Sequence, residues 1–172
     1  KILYPNGELQ EFGSELFPNF KGNNIGKFDN PNKSQFSKIV KRGYVSGCSF
    51  YIKRTTINKI GVFDERFHPC YCEDSDYCYT AWEKGIETVV VPNSVIYHDE
   101  GGTSGSNENS GFKMFQKVNF IKFNQKHQGK INNINWYGDR IETGQIFDSA
   151  KVNYKDTFGQ RLLNGTQSNS LI

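Results

Sequence analysis

The chain reads as an α/β domain, a mixed sheet flanked by helices, and three observations predict it. Its 172 residues are enough for one domain with a real core. Short runs at residues 2–4, 9–12, 88–91 and 94–98 have strand length and are bounded by turn residues or Pro. Two longer segments, 73–84 and 112–127, have helical length, and Gly85 closes the first as its C′ residue.

Residues 1–13 predict a hairpin. Ile2, Leu3 and Tyr4 form one strand, residues 5–7 the turn and 9–12 the return, with Asn6-Gly7 supplying the positive φ such turns need. Residues 18–38, rich in Asn, Gly, Lys and Pro, predict a long surface loop. Residues 43–53 predict a strand, within which Gly47 marks a bulge or the close approach of another group. Residues 55–60 predict a short helix opened by Thr55 or Thr56. Residues 88–91 predict a buried strand ended by Pro92, and 94–98 a second strand. Residues 99–111 carry almost no apolar atoms and predict a mobile loop. In 112–127, Phe112, Phe115, Val118 and Ile121 recur near helical spacing, with Lys113, Lys117 and Lys122 opposite or flanking. Residues 1–128 form one expected unit. Residues 129–172 read as an irregular extension with Trp136, Tyr137 and Phe147 as docking points.

Composition narrows the function classes. Hydrophobic content is 35% and aromatics reach 15%, with 14 Phe and 9 Tyr, so the core must be built largely from rings. Mean hydropathy is −0.67, which predicts a loop-rich surface or a partner surface. The net charge of +3 is too small and scattered to argue for nucleic acid. No apolar run reaches membrane-span length. The first ten residues lack both a leader's apolar stretch and an initiator Met, so the chain is expected to begin inside a longer protein. Cys48, Cys70, Cys72 and Cys78 do not form a disulfide framework and read as reduced thiols.

Residues 61–85, GVFDERFHPCYCEDSDYCYTAWEKG, hold the main chemical signal. Glu73, Asp74 and Asp76 crowd the expected start of a helix. One or two such acids serve the helix terminus, for about 0.3–1 kcal/mol each. Three within four residues repel one another and raise at least one pKa, which a general base needs. Asp64, before Arg66-Phe67-His68-Pro69, reads as a structural turn residue with Phe67 buried. Cys70, Cys72 and Cys78 with His98 lack the paired Cys-x2-Cys spacing of a zinc site. A lone His is usually structural, but His98, at a strand end beside a Gly-rich loop, is better placed than most to bind a ligand or metal.

In this order the residues resemble the C-terminal half of inverting family 2 glycosyltransferases of the GT-A fold, of the bacterial cell-surface polysaccharide and rhamnosyltransferase kind. Four blocks carry the resemblance: VSGCSFYIKR (45–54), IGVFDERF (60–67), PCYCEDSDYCY (69–79) and VPNSVIYHDEGGTSG (91–105). The helix that follows, with Asn119, is similar as well, and the match covers about residues 40–125.

The resemblance implies a partial GT-A fold whose N-terminal nucleotide-binding half is missing, so that this chain alone is expected not to turn over. It implies transfer of a sugar, with inversion, from a nucleotide-sugar donor to a glycan or lipid-linked acceptor hydroxyl. Asp74 would be the general base, with Glu73, Asp76, Gly47 and Trp82 binding the acceptor or substrate. His98 would ligate a divalent metal, Mn2+ or Mg2+. Peripheral association with the cytoplasmic face of the cell membrane would follow from such an acceptor. Relatives often carry Arg where this chain has Thr80, which puts donor or acceptor preference in question. The alternative is a non-catalytic carbohydrate-binding or scaffold module of the same fold; a zinc-binding interaction domain is a third reading.

Overall fold

The computed structural model describes residues 1–16, 22–105 and 107–127. The N-terminal hairpin forms as expected, and its strands β1 (Ile2–Leu3) and β2 (Leu9–Glu11) are antiparallel. Four further short strands pair as two separate two-stranded antiparallel sheets: β3 (Ser14–Leu16) with β4 (Gly22–Asn24), and β5 (Val40–Lys41) with β6 (Val89–Val90). The last strand, β7 (Ile96–Tyr97), runs parallel to β1, so the three-stranded sheet β2-β1-β7 is mixed. Among the described residues three α-helices join these strands: α1 (Arg54–Ile60), α2 (Glu73–Glu83) and α3 (Phe115–His127).

Two apolar clusters hold these elements. Leu3, Leu9, Phe12, Phe36 and Val90 join the sheet elements. Phe67, Tyr79 and Phe123 join α2 to α3, with Tyr44, Cys72 and Trp82 packed against them. The core is thus largely aromatic, and Tyr79 and Phe123 meet edge to face with centroids 6.2 Å apart. At Gly13, φ is 72° and a Cβ would lie 2.4 Å from the Arg42 side chain. That close approach lets Arg42 Nε donate to the Phe12 carbonyl at 2.8 Å.

Four expectations are corrected. Residues 43–53 do not form a strand: Ser46 caps a 3-10 turn over Gly47–Ser49 through its own hydroxyl, which breaks the extended run. Within 18–38, the described part from residue 22 onward contains β4 and a 3-10 turn over Ser34–Phe36, because Phe36 is drawn into the core. The strand at 88–91 is half buried: Val90 is covered, whereas Val89 and Val91 face solvent. Finally, α3 does not bury the predicted face. Phe112, Val118 and Ile121 are exposed, and Asn119, Phe123 and His127 are buried instead. Those three are spaced i, i+4, i+8 and share one face, two of them held inside by polar partners. The expected extension from 129 onward lies outside the described residues.

The polar partners at the end of α3 belong to α2. Asp76 is 3% exposed. Its Oδ1 lies 2.6 Å from His127 Nε2, and its Oδ2 accepts from Lys126 Nζ at 2.8 Å. Lys126 also reaches Asp64, which caps the 3-10 turn Glu65–Phe67 by accepting from the Arg66 amide. Removing one member of such a buried set strands the others. Asp76→Ala is therefore expected to lower unfolding free energy by about 3–5 kcal/mol, read as a fall in the urea midpoint with an unchanged m-value.

Candidate functional site at the start of α2

The approach to α2 is an unusual piece of backbone. Tyr71 and Cys72 both have positive φ, 75° and 71°, a conformation that L side chains rarely adopt. The segment before them is held by one side chain. Asn119, fully buried on α3, donates its amide to the carbonyls of Phe67 (2.6 Å), Cys70 (2.7 Å) and Tyr71 (3.2 Å). This replaces the hydrogen bonds that irregular buried backbone otherwise lacks. The helix then starts at Glu73 with no side-chain cap from Cys72.

Asp74 sits in the first turn, half-buried. Its Oδ2 accepts from the Gly47 amide at 3.0 Å, and its Oδ1 accepts from the Ser75 amide at 2.6 Å and the Ser75 hydroxyl at 3.3 Å. Burial pushes its pKa up, against the pull of the Gly47 and Ser75 amides. Glu73 is also raised, by burial and then by the charge of Asp74, and its Oε2 is buried without a hydrogen-bond partner. A Cβ at Gly47 would meet Asp74 Cβ at 3.6 Å and Glu73 Oε1 at 3.8 Å, so the glycine lies directly against both acids.

The structure therefore brings Gly47, Glu73 and Asp74 together, and places the other sequence candidates elsewhere. Asp76 faces α3 in the ion-paired set described above. Trp82 packs on the Phe67–Tyr79–Phe123 cluster and donates its indole N–H to the Arg42 carbonyl at 3.2 Å. Being eight residues beyond Asp74, it lies about 12 Å further along the helix axis. His98 stands at the end of β7, its Nδ1 3.0 Å from Gln10 Oε1. The loop after it is tied down at Glu100, which accepts from the Tyr4 hydroxyl at 2.6 Å and from Lys27 Nζ at 2.9 Å. Burial pushes Glu100 up, but Tyr4 and Lys27 hold its pKa below the usual value.

The resemblance implies Mn2+ or Mg2+. Among the described residues, no three His, Cys, Asp or Glu side chains converge as a metal-ion set. His98 can offer one nitrogen, so the described residues supply at most one ligand of a metal centre, and no bond-making step below is routed through the metal. All four cysteines are free thiols.

One carboxylate near the site has no place in the motif reading. Glu11, on β2, is 4% exposed and its Oε1 accepts from the Ser46 amide at 3.0 Å. It also lines a cavity of about 580 Å3 with Val45, Phe50, Cys78, Ala81 and Val90. A sequence signal for it exists. In residues 9–12, Leu-Gln-Glu-Phe, Leu9 and Phe12 fall on opposite faces of a strand. If both are core, both faces are covered, and Gln10 and Glu11 must find buried partners.

With this geometry in view, the chain is distantly similar to a glycosyltransferase. It is 28% identical over 87 residues to N-acetylglucosaminyl-diphospho-decaprenol L-rhamnosyltransferase of Mycobacterium tuberculosis, in both strain CDC 1551 / Oshkosh and strain ATCC 25618 / H37Rv. The match covers 51% of this chain and spans only 28% of those relatives' length. No family model matches the chain, and no solved structure matches it significantly. Its small mixed sheet with helices is compatible with part of a nucleotide-sugar transferase fold. Among the described residues, no helix is long and apolar enough to cross a membrane.

Burial raises the Glu11 pKa from 4.5 to about 7, with the Ser46 amide opposing and the charge of Asp74 adding to the rise. A carboxyl whose folded pKa is raised keeps its proton in the native state after the unfolded chain has lost it. Stability then falls as pH rises from about 4.5 to about 7 and levels off above. At about 1.4 kcal/mol per unit, the loss is on the order of 3–4 kcal/mol. Unfolding measured across that window is expected to show this slope, and Glu11→Gln to flatten it.

Proposed function

We propose that this chain is the acceptor-side, catalytic-base half of an inverting, family 2 glycosyltransferase of the GT-A fold, acting in bacterial cell-surface polysaccharide or cell-wall synthesis. The observation that carries this reading is Asp74: a carboxylate at a helix start, held by backbone amides on both oxygens, with a pKa raised by burial. Fixed donors set its orientation, and its raised basicity suits proton abstraction from an alcohol.

The chemistry follows from that placement. The acceptor hydroxyl gives its proton to Asp74 as its oxygen bonds to the anomeric carbon of the donor sugar. The bond from that carbon to the nucleotide diphosphate breaks on the opposite face, which inverts the centre. Glu73, beside Asp74, is proposed to orient the acceptor. Gly47 leaves room for close approach and supplies the amide that holds the base. Asp76 and Trp82 support the site from behind by fixing α2. His98 is proposed as one ligand to Mn2+ or Mg2+, and the 99–110 loop as a cover over the donor.

The substrate class follows from the relatives, whose name describes transfer of L-rhamnose to a decaprenyl-diphosphate-linked N-acetylglucosamine. For this chain we propose a nucleotide-sugar donor and a glycan or lipid-linked acceptor, met at the cytoplasmic membrane face by peripheral association. Nucleic acid has no role in this reading.

The test uses the longest polypeptide that the gene encodes, a nucleotide-sugar panel, Mn2+ and a polyprenyl-diphosphate-linked N-acetylglucosamine acceptor. Asp74→Asn is expected to reduce transfer by about 10²–10⁴-fold while donor binding by calorimetry is retained. A variant that keeps most of its rate would sink the base assignment, and glycan binding without turnover by the wild type would favour the carbohydrate-binding module. His98→Ala is expected to weaken Mn2+-dependent donor binding; unchanged metal dependence would remove His98 from the site.

A further inference from the structure

Two carboxylates from different parts of the chain are held by consecutive backbone amides. Ser46 N–H donates to Glu11 Oε1 and Gly47 N–H donates to Asp74 Oδ2, both at 3.0 Å. The two amides lie in adjacent peptide planes that meet at the Ser46 α-carbon, where φ is −64° and ψ is 138°. With those two angles held by the turn, in which the Ser49 amide donates to the Ser46 carbonyl at 3.3 Å, the orientation of one amide constrains the other. The turn is pinned once more by the Ser46 hydroxyl, which accepts from the Cys48 amide at 3.4 Å.

We propose that Glu11 is a positioning residue of the Asp74 site: by holding the Ser46 amide it fixes the neighbouring Gly47 amide that holds Asp74. The role rests on the reading of Asp74 as the base. The geometry it describes does not.

A purely structural account of Glu11 is hard to sustain. Satisfying one buried N–H needs only a neutral acceptor, and a buried carboxyl carries a desolvation penalty that an amide avoids. The neighbouring strand residue, Gln10, is itself an amide and is spent on His98 instead. A carboxyl at Glu11 adds something an amide lacks, a second titratable group beside Asp74. The groups facing it are mixed. Asp74 opposes its ionisation, Lys27 favours it, and Tyr44, Cys48 and Cys78 stand around it as neutral groups. Two carboxyls so placed titrate as a pair. The charge of Asp74 adds to the rise at Glu11, so an ionised Asp74 disfavours ionisation of Glu11.

The test reads carboxyl 13C shifts against pH, and amide hydrogen exchange, in the wild-type chain and in Glu11→Gln, Glu11→Ala and Asp74→Asn. Asp74→Asn is expected to lower the Glu11 midpoint by about half a unit or more. Glu11→Ala is expected to speed exchange at the Gly47 amide by about tenfold or more and to move the Asp74 carboxyl shift. Glu11→Gln, which keeps an acceptor for Ser46, is expected to restore slow Gly47 exchange and, as the reciprocal of the Asp74→Asn effect, to lower the Asp74 midpoint. In a transfer assay on the full gene product, Glu11→Ala is expected to lower kcat by about tenfold with KM little changed, and Glu11→Gln to recover most of it. A Glu11 midpoint unmoved by Asp74→Asn, or Gly47 exchange unmoved by Glu11→Ala, would overturn the proposal. If Glu11→Ala does not fold, the Asp74→Asn and Glu11→Gln titrations decide it alone. If the wild type transfers no sugar yet the two carboxyls are coupled, the geometry through which Glu11 holds Asp74 stands and the transferase reading fails.

Discussion

Asn119 donates its side-chain amide to three main-chain carbonyls of the segment that leads into α2, and the position of Asp74 depends on it. Irregular backbone in an interior is stable only if its polar groups are satisfied. Regular structure cannot satisfy them here, because the segment must turn sharply enough for Tyr71 and Cys72 to take positive φ. One planar amide on a neighbouring helix does so instead. This sets where α2 begins, and so where Glu73 and Asp74 stand.

The same two helices are joined again lower down. Asp76 lies one turn below the start of α2 and meets Lys126 and His127 at the end of α3. The aromatic cluster of Phe67, Tyr79 and Phe123 lies between the two polar contacts. Rings supply bulk, and the polar contacts supply register: aromatic surfaces tolerate sliding, while hydrogen bonds from Asn119 and to Asp76 do not. The acids of the Glu-Asp-x-Asp run thus divide by direction. Glu73 and Asp74 face the Gly47 turn, and Asp76 faces the interior. The crowding that points to a functional base in the sequence is relieved by this division.

The N-terminal strands contribute as much as the motif helix. Gln10 and Glu11 are adjacent on β2 and reach to opposite sides, one to His98 and the other to the Ser46 amide. The hairpin thereby touches both the strand-end histidine and the turn that holds Asp74. Tyr4, Lys27 and Glu100 add a second tether, fastening the Gly-rich segment after His98 to the N-terminal region. That segment has few apolar atoms, and composition alone makes it a free loop; an ion pair between the buried Lys27 and the exposed Glu100 gives part of it a fixed place.

What the sequence by itself determined is local. The Asn-Gly hairpin, the helix closed by Gly85, the ring-built core and the carboxylate-rich start of α2 all follow from residue chemistry and spacing within a few positions. The short range of these rules is why they are legible. Tertiary structure decided the rest. It drew the Ser46 and Gly47 amides onto Glu11 and Asp74 where a strand was expected, and turned α3 so that Asn119 and His127 face inward while Val118 and Ile121 face water. It also set Glu11 beside Asp74, 63 positions away in the chain. In each case a polar group took its place because a buried partner needed it. A hydrogen bond across tens of residues leaves no periodicity to read, and where it competes with an apolar stripe, satisfying the buried polar group wins.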